Sequence, residues 1–162
     1  TGAAGVDNIA WTSTTVADLA TEVGGTVGSG VVGDSISTWT SAADKLHFAT
    51  ALTNNGTDTD ALKTINKGGV VANNDIFVEI DDTTAGDNVD TLAGAVVVLN
   101  SLTTSDIAIG EDVIFAMDND TNMYLYMVTQ VSVANTIAAQ DVTFIGVING
   151  ITDVANGDFV SV

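Results

Sequence analysis

The stretch Glu111-Asp-Val-Ile-Phe-Ala-Met-Asp-Asn-Asp-Thr-Asn-Met-Tyr-Leu-Tyr-Met-Val-Thr-Gln130 decides how this chain is read. Two runs rich in β-branched and aromatic residues flank a short polar cluster, Asp118 to Asn122, which is the pattern of a hairpin. Strand side chains alternate with a period of two, so Tyr124 and Tyr126 share one face of the second arm. Met123, Leu125 and Met127 share the other. The first arm is apolar on both faces, as a covered central strand is. Its turn holds two carboxylates and three further oxygen-bearing side chains, with nothing basic nearby. Such a turn either faces water or holds a hard cation. It opens like an EF-hand loop, but the sixth and twelfth positions, which need Gly and Glu, hold Met123 and Thr129. A plain hairpin turn remains the alternative, because Asp and Asn are ordinary turn residues.

The rest of the chain repeats this theme of apolar strands joined by acidic turns rich in Gly, Asn and Thr. Its 162 residues suit one ordinary domain, and 46% hydrophobic residues supply a core. Thr, Val and Ile favour strands. The expected fold is therefore mainly β: a β-sandwich or compact two-sheet domain with one or two short helices. Helical spacing marks Val16 to Val23 and Val89 to Leu102, and Asp58 to Asn66 could form a short helix. In the second of these, Asp87 and Asp90 are expected at the helix N-terminus, where carboxylates cap free amides. Strands are expected over Asn8 to Thr12, Asp75 to Ile80, Asp141 to Val147 and Val154 to Val160. Gly24 to Gly33 reads as a glycine-rich linker. It divides an N-terminal arm, residues 1–33, from a β domain, residues 34–162.

Charge excludes more than any motif does. There are 21 acidic residues, 18 of them Asp, against three lysines and no arginine, a formal net charge of −18. No basic face for nucleic acid can be built from this, and an anionic membrane surface would repel it. Cations or a basic partner are the positive candidates. A solvated acidic surface is the plainer one. Calcium is favoured, because Asp in flexible Gly/Asn loops supplies hard oxygen ligands. The candidate ligands are Asp7, Asp34, Asp44, Asp81, Asp82, Asp87, Asp90, Asp118 and Asp120. The densest cluster runs from Asp81 to Asp90.

Catalytic signatures are absent from the sequence. His47 is the only histidine, no cysteine occurs, and no G-x-S-x-G elbow is present, so a serine triad or a zinc site is not expected. Gly28 to Gly33 is a formal G-x-G-x-x-G, but the segment after it alternates like a strand, whereas a dinucleotide site needs a helix there. Trp11 and Trp39 could line a sugar site, though strand tryptophans are more often core. Asn55-Gly-Thr57 and Asn119-Asp-Thr121 are formal glycosylation sequons. No apolar run approaches a membrane span, and the first residues carry no classical signal peptide.

Three segments together carry a resemblance. Gly2 to Ala10 follows the calcium nonapeptide G-G-x-G-x-D-x-U-x through Gly2, Gly5, Asp7 and Ile9. Asp34 to Phe48 shows D-x-I-x-x-aromatic, a short loop, then Asp44-Lys-Leu-His-Phe48, with Leu46 and Phe48 on the face opposite Lys45 and His47. The chain ends on an acidic residue and an apolar tail, Gly157-Asp-Phe-Val-Ser-Val162. This resembles the C-terminal regions of RTX proteins, acidic calcium-binding bacterial proteins exported by type I secretion. Tandem nonapeptides are missing, and Thr38 stands where many relatives carry a second Asp, so a full calcium β-roll is not implied. The resemblance implies a secreted, extracellular or cell-surface location and bound Ca²⁺. The expected role is a non-enzymatic structural subunit or terminal domain of a surface layer, fibre or matrix that polymerises with copies of itself. The alternatives are a C-terminal secretion and folding module of a larger secreted enzyme or adhesin, and a β-sandwich that binds a cell-surface glycan.

Overall fold

The structure is a computed structural model, and it describes residues 8–13, 15–24, 33–49, 59–72, 75–103, 112–129 and 136–161. Among these residues nine strands form two sheets. They are β1 (Asn8–Trp11), β2 (Asp34–Ile36), β3 (Lys45–Phe48), β4 (Thr59–Ile65), β5 (Asp75–Ile80), β6 (Asp112–Asp118), β7 (Asn122–Thr129), β8 (Val142–Asn149) and β9 (Phe159–Ser161). The helices are α1 (Val16–Glu22) and α2 (Leu92–Leu99). The smaller sheet has the order β1-β3-β9 and the larger β2-β8-β7-β6-β5-β4. The domain is predominantly β, with two sheets and two short helices, as the composition leads one to expect.

The β6–β7 hairpin is the centre of the larger sheet. Its arms pair antiparallel from Asp112 opposite Thr129 to Asp118 opposite Met123. Asp118 Oδ1 accepts from the Asp120 amide at 2.8 Å, and Asn119 Oδ1 accepts from the Asn122 amide at 2.9 Å. Asp120 takes a left-handed φ of 65°, which Asp tolerates better than most residues. The turn chemistry therefore comes from its own Asx side chains. β6 is covered on both faces, as its unbroken apolar run demands.

Each face of the larger sheet has its own core. On one side Ile114, Leu125, Met127 and Phe77 meet Trp11, Phe48 and Phe159 of the smaller sheet and Leu19 of α1. Trp11 stacks on Phe48 at 4.8 Å and Phe77 on Phe159 at 5.1 Å. On the other side Phe115, Tyr126, Val128, Val78 and Ile80 pack under Ala95, Val98 and Leu99 of α2. Burying each large apolar side chain stabilises by roughly 1.5–3 kcal/mol. A bulge in β8 shifts the register between Leu125 and Tyr126, so Phe144 turns towards α2 while Ile145 turns towards the smaller sheet. β1 and α1 lie in the same core as the strands after residue 33.

Several expectations change. Residues 59–65 are a strand, not a helix, because they pair in parallel with β5; Asp58 lies outside the described residues. Seven residues are too few for periodicity to separate helix from strand, and Thr59, Thr64 and Ile65 suit the pleat. Asp87 and Asp90 do not cap α2. Its N-cap is Thr91, whose side chain accepts from the Gly94 amide at 3.1 Å. The two strands of Asp34 to Phe48 lie in different sheets: β2 pairs with β8, and β3 with β1 and β9. The last strand is shorter than expected, since Val154 to Asp158 form a connecting loop. Among the described residues no helix is long and apolar enough to cross a membrane.

Candidate functional site

Strands β4, β5 and β6 run parallel, so their C-terminal ends arrive at one corner of the larger sheet. The turn after β4, the loop after β5 and the β6–β7 turn meet there, and they bring Asp82, Asp87, Asp118 and Asp120 together. Asp82 Oδ1 accepts from the Lys67 amide at 2.6 Å. The Lys67 ammonium lies on both oxygens of Asp87, at 2.9 and 3.1 Å, and Asp87 also accepts from the Thr84 amide at 2.8 Å. Asp120 Oδ2 accepts from the Ala85 amide at 2.9 Å. Asp118 is buried, and the Thr83 hydroxyl donates to its Oδ2 at 3.2 Å.

The electrostatics follow from these partners. The Lys67 ammonium bonded to Asp87 holds that carboxyl below its usual range, and Asp87 in turn raises Lys67. Burial pushes Asp118 up, and the charge of Asp120 adds to this. Every acid named at this corner is engaged by an amide, a hydroxyl or Lys67. Among the described residues no group of three or more His, Cys, Asp or Glu side chains stands at metal-holding spacing. What the corner does chemically is fix three loops against one another.

The remaining candidate ligands are scattered. Asp34 accepts from the Trp11 indole N–H at 2.9 Å, which ties β2 to β1. Asp44, 2% exposed, accepts from the Thr40 amide at 2.6 Å and closes its own turn. Asp81 and Asp90 are exposed. Asp7 lies outside the described residues. Trp11 is buried against Phe48 and is not available to line a sugar site. His47 is half-buried on β3, with its Nε2 3.1 Å from Asn8 Oδ1.

Two buried acids escape a reading based on turns. Asp158, fully buried, accepts from the Ser41 hydroxyl at 2.9 Å, the Ala42 amide at 2.7 Å and the Ala155 amide at 2.8 Å. It clips the β2–β3 connection to the approach to β9, and Ala42 is held there with φ at 66°. Glu79 is 2% exposed, on β5. Its Oε1 accepts from the Val154 amide at 3.0 Å and its Oε2 from the Thr64 hydroxyl at 3.1 Å. Burial is the main reason its carboxyl is pushed up to about 7, with Asp153 and Asp81 adding repulsion against the two hydrogen bonds. A signal for Glu79 was present in the sequence: an acid inside the apolar run Asp75 to Ile80 has no water to face if the strand is covered. Asp158 gave none, because two of its three donors, Ser41 and Ala42, are more than a hundred residues away.

No family model, no curated protein and no solved structure matches this chain.

Proposed function

We propose that the chain is a structural subunit or terminal domain of an extracellular bacterial surface layer, fibre or matrix of RTX type. In this reading it associates with copies of itself and is stabilised by calcium. The observation that supports it is how the carboxylates are used. Asp34, Asp44, Asp82, Asp120 and Asp158 each fasten one part of the chain to another, and none stands beside a nucleophile or base in an arrangement that does chemistry. A chain whose polar side chains serve its own architecture suits a structural role. Lys63 and Lys67 are already paired with Asp75 and Asp87. Among the described acids Asp18, Glu22, Asp34, Asp81, Asp90, Asp120 and Asp153 are exposed, and copies of a chain with a formal charge of −18 repel one another until cations screen it.

The test is to raise calcium from chelated to millimolar while following light scattering and electron micrographs. Growth from small species to ordered assemblies is the expected result, together with a higher melting temperature. A calcium-independent melt and single copies throughout would sink the reading. The secretion and folding module alternative would then lead.

A further inference from the structure

β1 and α1 form a unit fastened to itself. The Glu22 carboxylate at the end of α1 accepts from the Thr12 amide at 3.2 Å and from the Ser13 amide at 3.0 Å, and the Thr12 and Ser13 hydroxyls donate to it as well. This ties the end of β1 directly to the end of α1. Among the described residues, the unit's other contacts lie after residue 33. β1 pairs there with β3 alone, in parallel, from Asn8 opposite Lys45 to Trp11 opposite Phe48. The Trp11 indole donates to Asp34, and its ring stacks on Phe48. Leu19 and Val23 enter the core between the sheets, and α1 lies against β8. The unit and its dock are thus separate in sequence, joined by residues 25–32, a stretch that holds Gly25, Gly28 and Gly30.

We propose that the β1–α1 unit exchanges between copies of this chain, the unit of one copy docking on β3, Asp34 and β8 of another. The contact rests on the self-association proposed above and names its surface. The dock itself selects a second copy as the partner. Trp11, Leu19, Ala20 and Val23 are each 5% exposed or less, and a unit that left its own dock would put them in water. Only an identical dock buries them again with the same indole hydrogen bond, the same ring stack and the same strand register. Charge points to this mode rather than to docking of two preformed surfaces. The chain carries 21 acids against three lysines, and Lys63 and Lys67 are already neutralised by Asp75 and Asp87. Exchange needs no new complementary surface, because every contact it makes is one the single chain already makes, which is why it is a low-cost route to association. The residues 25–32 reach at most about 28 Å when extended, so donor and acceptor stand side by side. Donation passed from copy to copy without closing builds a fibre.

The experiment uses the register of the β1–β3 ladder. Ala10 lies opposite His47, and neither is buried as their neighbours Trp11 and Phe48 are. The chain has no cysteine of its own. Paired strands stand about 4.8 Å apart, within reach of a disulfide. Chains carrying Ala10→Cys are mixed with chains carrying His47→Cys under chelation, calcium is raised to millimolar, and the mixture is oxidised and run on a gel without reductant. The expected result is a linked product of twice the 16.5 kDa chain mass, absent when either variant is oxidised alone. The double variant, which can close its bond within one chain, shows that the two thiols are placed for bonding. If it fails to fold or to close, Asn8→Cys with Lys45→Cys repeats the test at another pair of the same ladder. The proposal is overturned if the mixture stays at the mass of one chain while the double variant closes. Ordered assemblies with no link between chains keep the structural reading and lose the exchange. Linked pairs that never grow further keep the exchange and lose the structural reading.

Discussion

Glu79→Gln should make this protein more stable, and only above acidic pH. The carboxyl of Glu79 is 2% exposed, has no cationic partner among its hydrogen bonds, and has its pKa raised from 4.5 to about 7. A raised folded-state pKa means that the native chain holds this proton more tightly than the unfolded chain does. The penalty is absent well below pH 4.5, where both states are protonated. It grows as pH rises, since the unfolded chain ionises first, and it levels off above about pH 7, where both are charged. At 1.36 kcal/mol per pH unit of difference, the plateau is about 3 kcal/mol. Glutamine keeps an oxygen for the Val154 amide and offers an N–H to the Thr64 hydroxyl, so the geometry survives without the charge. The expected gain over the wild type is near zero at pH 4, about 1 kcal/mol at pH 5 and about 3 kcal/mol at pH 8. For a domain of this size that is roughly 6–12 °C in melting temperature at pH 8. Urea unfolding of both proteins across this range isolates the effect, because the other carboxylates cancel in the difference. A gain that does not change with pH, or a loss at pH 8, would refute the account of Glu79 as a buried, unpaired charge.

Three further outcomes follow from named contacts. Asp158→Ala strips acceptors from Ser41, Ala42 and Ala155 and should cost about 3 kcal/mol or more in urea unfolding, with Asp158→Asn costing less. Asp87→Ala should cost about 1 kcal/mol, measured by thermal melts with and without calcium. Because the Asp87 pKa is lowered, this contribution is present above the ordinary carboxylate range and disappears as pH falls through the folded value, so wild type and variant should converge in acid; a loss that appears only with calcium would instead assign Asp87 to an ion site. Gly94→Ala should destabilise, measured by the same melts, although alanine normally favours a helix. A Cβ at that position would sit 2.1 Å from the Asn88 carbonyl oxygen, and a stabilised variant would refute this close approach of α2 to Asn88.

Sequence alone determined the local architecture wherever one periodicity was unambiguous. The hairpin around Asp118 to Asn122 was legible because both arms are long, their faces alternate, and the turn carries Asx residues that satisfy its own amides. α1 and α2 were legible from apolar spacing, and β5 from its β-branched run. The sequence also determined the electrostatic character, since no arrangement of three lysines and 21 acids makes a basic face. Tertiary structure decided what local pattern leaves open. Residues 59–65 became a strand because β5 offered a parallel partner, and β2 and β3 parted into different sheets because β8 and β1 claimed them. The acids were the largest gap. Read by composition, they are oxygen ligands in turns. In the folded chain Asp34 answers an indole 23 residues away, Asp82 a main-chain amide 15 away and Asp158 donors 116 and 117 away. A carboxylate takes whichever donor the fold delivers to it, and that delivery is a property of sheet order and register, which no local spacing encodes.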